Sequence, residues 1–198
     1  MIKQLRMYWI GAHLTIATAL VAATAFAQPV EVEGQKFEPT VQLGGQTLNL
    51  NGVGLRRRAI FKVYVAGLYA PQKSTNAAAL ISDKGPRRVA LRMLRDVDAD
   101  SFIDSFNDGL KNNLSEAQLA ALKPQIDALT ATLKSIGEAK KGDAINFDYT
   151  PESGTTISVN GQPRGNPIPG ADFFTAVLRI WLGEKPADES LKKGMLGA

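Results

Sequence analysis

The chain contains no cysteine, so no disulfide framework and no thiolate nucleophile can be built from it. It contains one histidine, His13, in a segment that is expected to be removed. Lys3 and Arg6 make a short positive region. "YWIGAHLTIATALVAATAFA" follows without acidic or strongly basic charge, and Ala25-Phe26-Ala27 fits the small-x-small pattern that precedes cleavage. Residues 1–27 therefore read as a secretory signal peptide cleaved after Ala27, and residues 28–198 as a single periplasmic or secreted domain. The apolar core of that peptide is short and alanine-rich for a stable membrane span, and no later segment reaches spanning length. The mature chain then lacks a His general base, a His or Cys nucleophile and the usual zinc ligands. Any chemistry must come from Arg, Lys, Tyr, Ser, Thr or carboxylates. No loop has the Asp/Asn/Gly spacing of a calcium site, so neither metal nor cofactor is expected. The formal net charge is only +4, and Lys3 and Arg6 contribute to it. That is too weak to argue for a nucleic-acid partner.

What is present reads as an α+β chain. Val41–Leu43 and Gln46–Leu50, closed by Gly44-Gly45, form a hairpin pattern. Residues 55–69 read as one long strand. Its odd positions, including Leu55, Phe61, Val63 and Val65, are apolar apart from Arg57, and its even positions include Arg56, Arg58, Lys62 and Tyr64. Ser74 or Thr75 is expected to cap a short helix in "STNAAALIS". "RRVALRML" is a further strand, with Arg87, Val89, Leu91 and Met93 on one face. Asp98 or Asp100 opens a helix carrying Phe102, Ile103, Phe106 and Leu110 on one side. Ser115 and Gln118 make a capping box ahead of a long apolar stripe from Leu119 to Ile136. Pro124 is expected to bend or split that helix, and Gly137 to end it. "AINFDYT" and "TTISV" return to strand, Asn160-Gly161 marks a turn, and "PRGNPIPGA" reads as a Pro/Gly loop. Asp172 is expected to cap "FFTAVLRIWL", whose Phe173, Phe174 and Trp181 read as core, and Asp188 to start a last short helix. Strands, helices, strands and helices in that order imply an antiparallel sheet with helices on one face.

Arg56-Arg57-Arg58 interrupts this pattern. A block of three arginines is either a solvated edge that discourages aggregation or a place where one guanidinium holds an anion. Guanidinium is permanently charged and binds a carboxylate or phenolate through two parallel hydrogen bonds. Arg56 follows Gly54, where the backbone can crowd a ligand without a side chain intervening, and Tyr64 falls on the same strand face. On a straight strand the two residues are roughly 26 Å apart. They share a small ligand only if the chain bends or bulges between them.

"NGVGLR" followed by "FKVYVAGLY" resembles the signature of the chalcone isomerase superfamily, and "DFFTAVLRIWLGEKPADESLKKGMLG" resembles its C-terminal helix and short final helix. Within the superfamily the chain is most similar to exported bacterial chalcone isomerase-like proteins. The resemblance implies an open-faced β-sandwich, a large antiparallel sheet with helices packed on one face. It implies Arg56 as the motif arginine and Tyr64 at the position of the plant enzymes' catalytic threonine, as in the fatty-acid-binding branch. Asn107 falls where the plant enzymes carry an asparagine, whereas "DSFIDSFNDGL" has neither their tyrosine nor their lysine. Three readings follow. The first is a binder of a small apolar anion, a fatty acid or aromatic acid, through Arg56, Tyr64 and Asn107. The second is an isomerase (intramolecular lyase) acting on a chalcone-like enone through Arg56 and Tyr64. The third is a non-catalytic envelope protein that uses the arginine strand as a partner surface.

Overall fold

The computed structural model describes residues 28–198; the signal-peptide expectation concerns residues outside that range. Glu33 and Gly34, both at positive φ, turn a small hairpin of β1 (Val30–Val32) and β2 (Gln35–Phe37). Gly44 and Gly45 (φ 55° and 72°) turn the next, between β3 (Thr40–Leu43) and β4 (Gln46–Arg58). This is the mirror-image turn that matches strand twist, and it needs residues tolerant of positive φ. There follow β5 (Phe61–Ala70), α1 (Ala77–Ser82), β6 (Arg87–Met93) and β7 (Val97–Asp98). The helical stretch comprises α2 (Ala99–Asn113), α3 (Glu116–Ala121) and α4 (Lys123–Ile136). Then come β8 (Glu138–Ala139), β9 (Ala144–Thr150), β10 (Gly154–Val159), β11 (Gln162–Ile168), α5 (Ala171–Leu182) and α6 (Glu189–Met195).

Seven strands form one antiparallel sheet in the order β11-β10-β9-β6-β5-β4-β3. One face carries the main core: Leu68, Leu91, Met93 and Phe147 from the sheet meet Phe106, Leu133, Phe174 and Leu191 from the helices. The other face holds a smaller core, in which Phe37 of the β1–β2 hairpin covers Leu48, Leu50, Val65 and Ala90. This is the α+β, open-faced sandwich expected from the sequence. Among the described residues no helix is long and apolar enough to cross a membrane.

Much of the local reading holds. Ser115 and Gln118 form the capping box. Pro124 splits the stripe into α3 and α4 by occupying the first turn of α4, where a proline's missing N–H is harmless. Arg87 lies on the core face as its alternation requires, fully buried beside the stacked rings of Tyr149 and Phe174, 5.2 and 5.1 Å from their centroids. It donates to the carbonyls of Leu80, Ile81 and Gly85, and so closes the C-terminus of α1.

Four expectations are corrected. Residues 55–69 are not one strand: the chain reverses at Ala59 and Ile60, so β4 and β5 form a hairpin. The reversal also changes the faces, since Tyr64, Ala66 and Leu68 point to the main core and Val65 to the smaller one. "PRGNPI" is not loop but edge strand β11, where Pro163 and Pro167 are tolerated because an edge strand pairs on one side only. Asn76, rather than Ser74 or Thr75, caps α1, accepting from the N–H groups of Ala78 and Ala79. Gly170 occupies the N-cap of α5, and Asp172 falls in its first turn.

The glycines of "NGVG" explain how the C-terminus docks. A Cβ at Gly52 would meet the carbonyl oxygen of Gly194, and one at Gly54 would meet that of Leu191. Backbone of α6 therefore lies directly on backbone of β4. Asn51 fastens the contact, donating to the Met195 carbonyl at 2.8 Å and accepting from the Ser74 N–H at 2.7 Å. Asp188 starts α6, as expected: one oxygen accepts from the N–H groups of Ser190 and Leu191, and the other from the N–H of Arg57 on β4 at 3.0 Å. Burial pushes the Asp188 carboxyl up, but the hydrogen bonds from Ser190, Arg57 and Leu191 outweigh it and hold it below the usual range.

Gly54→Ala should drive α6 off the strand and lower stability by about 1–3 kcal/mol, read as a drop in the urea midpoint. Asp188→Ala should cost about 1–2 kcal/mol at neutral pH. The folded-state pKa of Asp188 lies below the unfolded one. Its contribution is therefore present above the unfolded value and disappears as pH falls through the folded value. Urea melts of the two proteins should converge on acidification.

Candidate functional site

The reversal at Ala59 and Ile60 builds the site. Ala59 adopts φ 53°, and Arg58 pairs with Phe61 across the turn. Val63 is the extra residue of a bulge, after which Arg56 stands directly opposite Tyr64. Residues that a straight strand would hold roughly 26 Å apart become cross-strand neighbours about 5 Å apart at Cα. Both face the helical side.

There they border a cavity of about 260 Å³ between the sheet and helices α2 and α5. Its walls are apolar: Leu91 and Met93 from β6, Phe102 and Phe106 from α2, Ile180 and Trp181 from α5. Its rim carries Arg58, Phe61, Arg95, Asp96 and Asp98. A second, more open cavity of about 500 Å³ lies between α4 and β11, but no charged side chain lines it. The first cavity joins a greasy interior to a fixed positive charge, which makes it the candidate site.

Arg56 is half-buried, whereas Arg57 and Arg58 are exposed. Its guanidinium donates to the carbonyl of Ala187, in the loop that precedes α6. Among the described residues no carboxylate forms an ion pair with it. The Tyr64 hydroxyl accepts a hydrogen bond from Trp181 Nε1 at 2.9 Å, which leaves its own proton free to donate. Burial pushes the Tyr64 hydroxyl above the ordinary phenol value. The Arg56 charge and the Trp181 hydrogen bond pull the other way, and Asp188 adds to the rise. The net result is a neutral phenol at physiological pH.

The structure thus brings Arg56 and Tyr64 together. Asn107 is on α2, half-buried, but does not border the cavity. Positions 101, 102, 105 and 106 do so instead, and Asn107 is turned by one residue, about 100°, from Phe106. Ser101 and Ser105, which no motif marks in the sequence, add hydroxyls to the wall. The four- and five-residue spacing from Ser101 to Ser105 and Phe106 was the available signal. Trp181 is buried, as expected of a core residue, and also forms part of the wall. Among the described residues no group of three or more acidic or histidine side chains converges as a metal site would.

The same fold recurs in the Arabidopsis thaliana fatty-acid binding protein AtFAP1, with a TM-score of 0.66 over 85% of this chain and 96% of that one, at 17% identity. A likeness at that identity speaks to the fold. No curated protein matches the sequence. The model of the chalcone isomerase-like family matches residues 29–197, nearly the whole described range. On that match, and on the sheet that carries it, the chain belongs to the chalcone isomerase-like family.

Proposed function

We propose that the protein binds a small apolar anion, a fatty acid or an aromatic acid, with the carboxylate on Arg56 and Tyr64 and the apolar part in the cavity. The observation that carries this reading is the cross-strand pair itself. An arginine without an acidic partner among the described residues and a tyrosine with a free proton stand together at the edge of an apolar hollow. A guanidinium presents two parallel donors to a carboxylate, and the phenol supplies a third. The cavity, at about 260 Å³, is near the lower end of the roughly 300–1,000 Å³ usual for small-molecule sites. It suits a single-ring acid or part of a fatty chain. The fold shared with a fatty-acid binding protein supports the ligand class.

Binding without turnover is the favoured reading. Ring closure onto an enone calls for groups that stabilise a developing enolate and move a proton. The cavity wall has no lysine and, beyond Tyr64, no second tyrosine. The half-buried position of Arg56 at a cavity also weighs against a role in which all three arginines form one partner surface. The charge and cleavage pattern of residues 1–27 leads us to assign the binder to the periplasm or the exterior.

Laurate or cinnamate at about a hundred times its Kd should stabilise the fold by about 2.7 kcal/mol, seen as a rise in Tm. Arg56→Ala should abolish that rise; an undiminished rise would rule Arg56 out as the anchor. Tyr64→Phe keeps the ring and removes the donor, so calorimetry should show affinity weakened by about tenfold or more. Because Tyr64 titrates above the ordinary phenol value, affinity should stay level from neutral to mildly alkaline pH. It should fall only when the phenol ionises and repels the carboxylate.

A further inference from the structure

The β4–β5 hairpin ends in two apolar residues that the fold leaves uncovered. Ile60 is 84% exposed and Phe61 53%. Two-residue turns are usually built from Asn, Asp or Gly, which tolerate the backbone and prefer water. Here the turn is Ala59 and Ile60, with Ala59 at positive φ. Turn chemistry does not account for these residues, and neither does burial.

Cations surround the tip. Arg57 and Arg58 precede the turn, Lys62 follows it, and all three are exposed. The Arg95 guanidinium, also exposed, lies over the Phe61 ring at 4.7 Å. Acids lie nearby as well, each fixed by a hydrogen bond or an ion pair to a group other than these arginine side chains. Glu33 pairs with Lys62 at 2.6 Å, Asp188 caps α6, Asp98 caps α2 and Asp96 accepts from the Lys141 N–H. Among the described residues no acid pairs with Arg57, Arg58 or Arg95. Arg58, Phe61 and Arg95 also form part of the cavity rim, so the tip is the lip of the binding site.

We propose that this tip docks on an anionic lipid bilayer. Ile60 and Phe61 enter the boundary between headgroups and acyl chains, and Arg57, Arg58 and Arg95 meet lipid phosphates. An apolar point flanked by three exposed arginines that have no ion-pair partner among the described residues has the polarity order of such an interface. A protein partner fits less well. A specific protein interface buries about 800 Å² on each side, and two consecutive side chains at the point of a hairpin offer far less. Docking brings the cavity mouth against the phase in which apolar acids dissolve. The docking stands on the tip alone; its purpose, loading the cavity, rests on the ligand reading above.

Protein expressed from the full-length sequence is sedimented with vesicles of phosphatidylcholine alone and of phosphatidylcholine mixed with phosphatidylglycerol. The wild type should bind the mixed vesicles, weaken as salt is raised, and leave neutral vesicles in the pellet unaccompanied. Ile60→Asp and Arg57→Glu border no part of the cavity, and each should lower vesicle affinity by about tenfold or more. Both should keep the laurate-induced rise in Tm, which separates failure of docking from failure of the ligand site. Equal vesicle binding by wild type and Ile60→Asp would overturn the proposal, as would wild-type binding to neither vesicle. Capture of a protein through the tip, with no vesicle binding, would overturn it too.

Discussion

The site depends on a contact in which no side chain intervenes. Gly52 and Gly54 clear the helical face of β4, and the backbone of α6 rests on them. That contact fixes the loop before the helix. The Ala187 carbonyl then takes a hydrogen from Arg56, and the Asp188 carboxylate takes the N–H of Arg57. Arg56 is thereby held to the cavity side of a hairpin whose next two arginines are exposed. Three identical residues in a row divide into one anchored group and two solvated ones because of where α6 can lie.

The proposed anion would meet Arg56 and Tyr64 at the cavity edge. A guanidinium has five N–H donors, and the Ala187 carbonyl is neutral, so Arg56 is held in place without an ion-pair partner among the described residues. A carboxylate partner in the fold would have stabilised Arg56 and closed the site to anions. Trp181 completes the arrangement by occupying the acceptor side of the Tyr64 hydroxyl, which turns the phenolic proton toward any acceptor that enters. Both groups lie beside apolar walls, where a hydrogen bond to a charged group is stronger than in water.

The sequence displayed features whose causes are local. Gly44-Gly45 and Asn160-Gly161 mark their turns through the positive φ those residues accept, and Ser115 with Gln118 marks a helix start through its own hydrogen bonds. Alternation in 87–93 separates the fully buried Arg87 from Arg88 on the opposite face, which pairs with Asp148 at 2.5 Å. The failures have non-local causes. No turn residue announces Ala59 and Ile60, so residues 55–69 kept one period and the two halves of a hairpin were read as a strand. The prolines of β11 argued for a loop until its place at the sheet edge was known. Arg56 and Tyr64 were legible as residue types on one face, but their adjacency is a product of the reversal. Gly54 read as a place for a ligand to approach, whereas the group against it is the backbone of α6. Asn107 was placed by register against a family pattern, and a shift of one residue on a helix moves a side chain by about 100°.

The hairpin that carries the site is clamped at its base and free at its end. Near the base, Leu55 and Val65 are cross-strand partners that pack into the smaller core beneath β1 and β2. On the opposite face Gly54 meets α6, and Tyr64 packs against the main core. Side chains alternate across a strand, so a rung held from both faces has little freedom to twist or slide. Beyond Arg58 neither core reaches, and Ala59, Ile60 and Phe61 are exposed. The Arg56–Tyr64 pair is therefore the rung next to the last one packed into the smaller core. The proposed ligand site needs that rigidity, whereas the proposed docking tip needs only reach. One antiparallel hairpin suits both proposals because burial ends between Arg56 and Arg57.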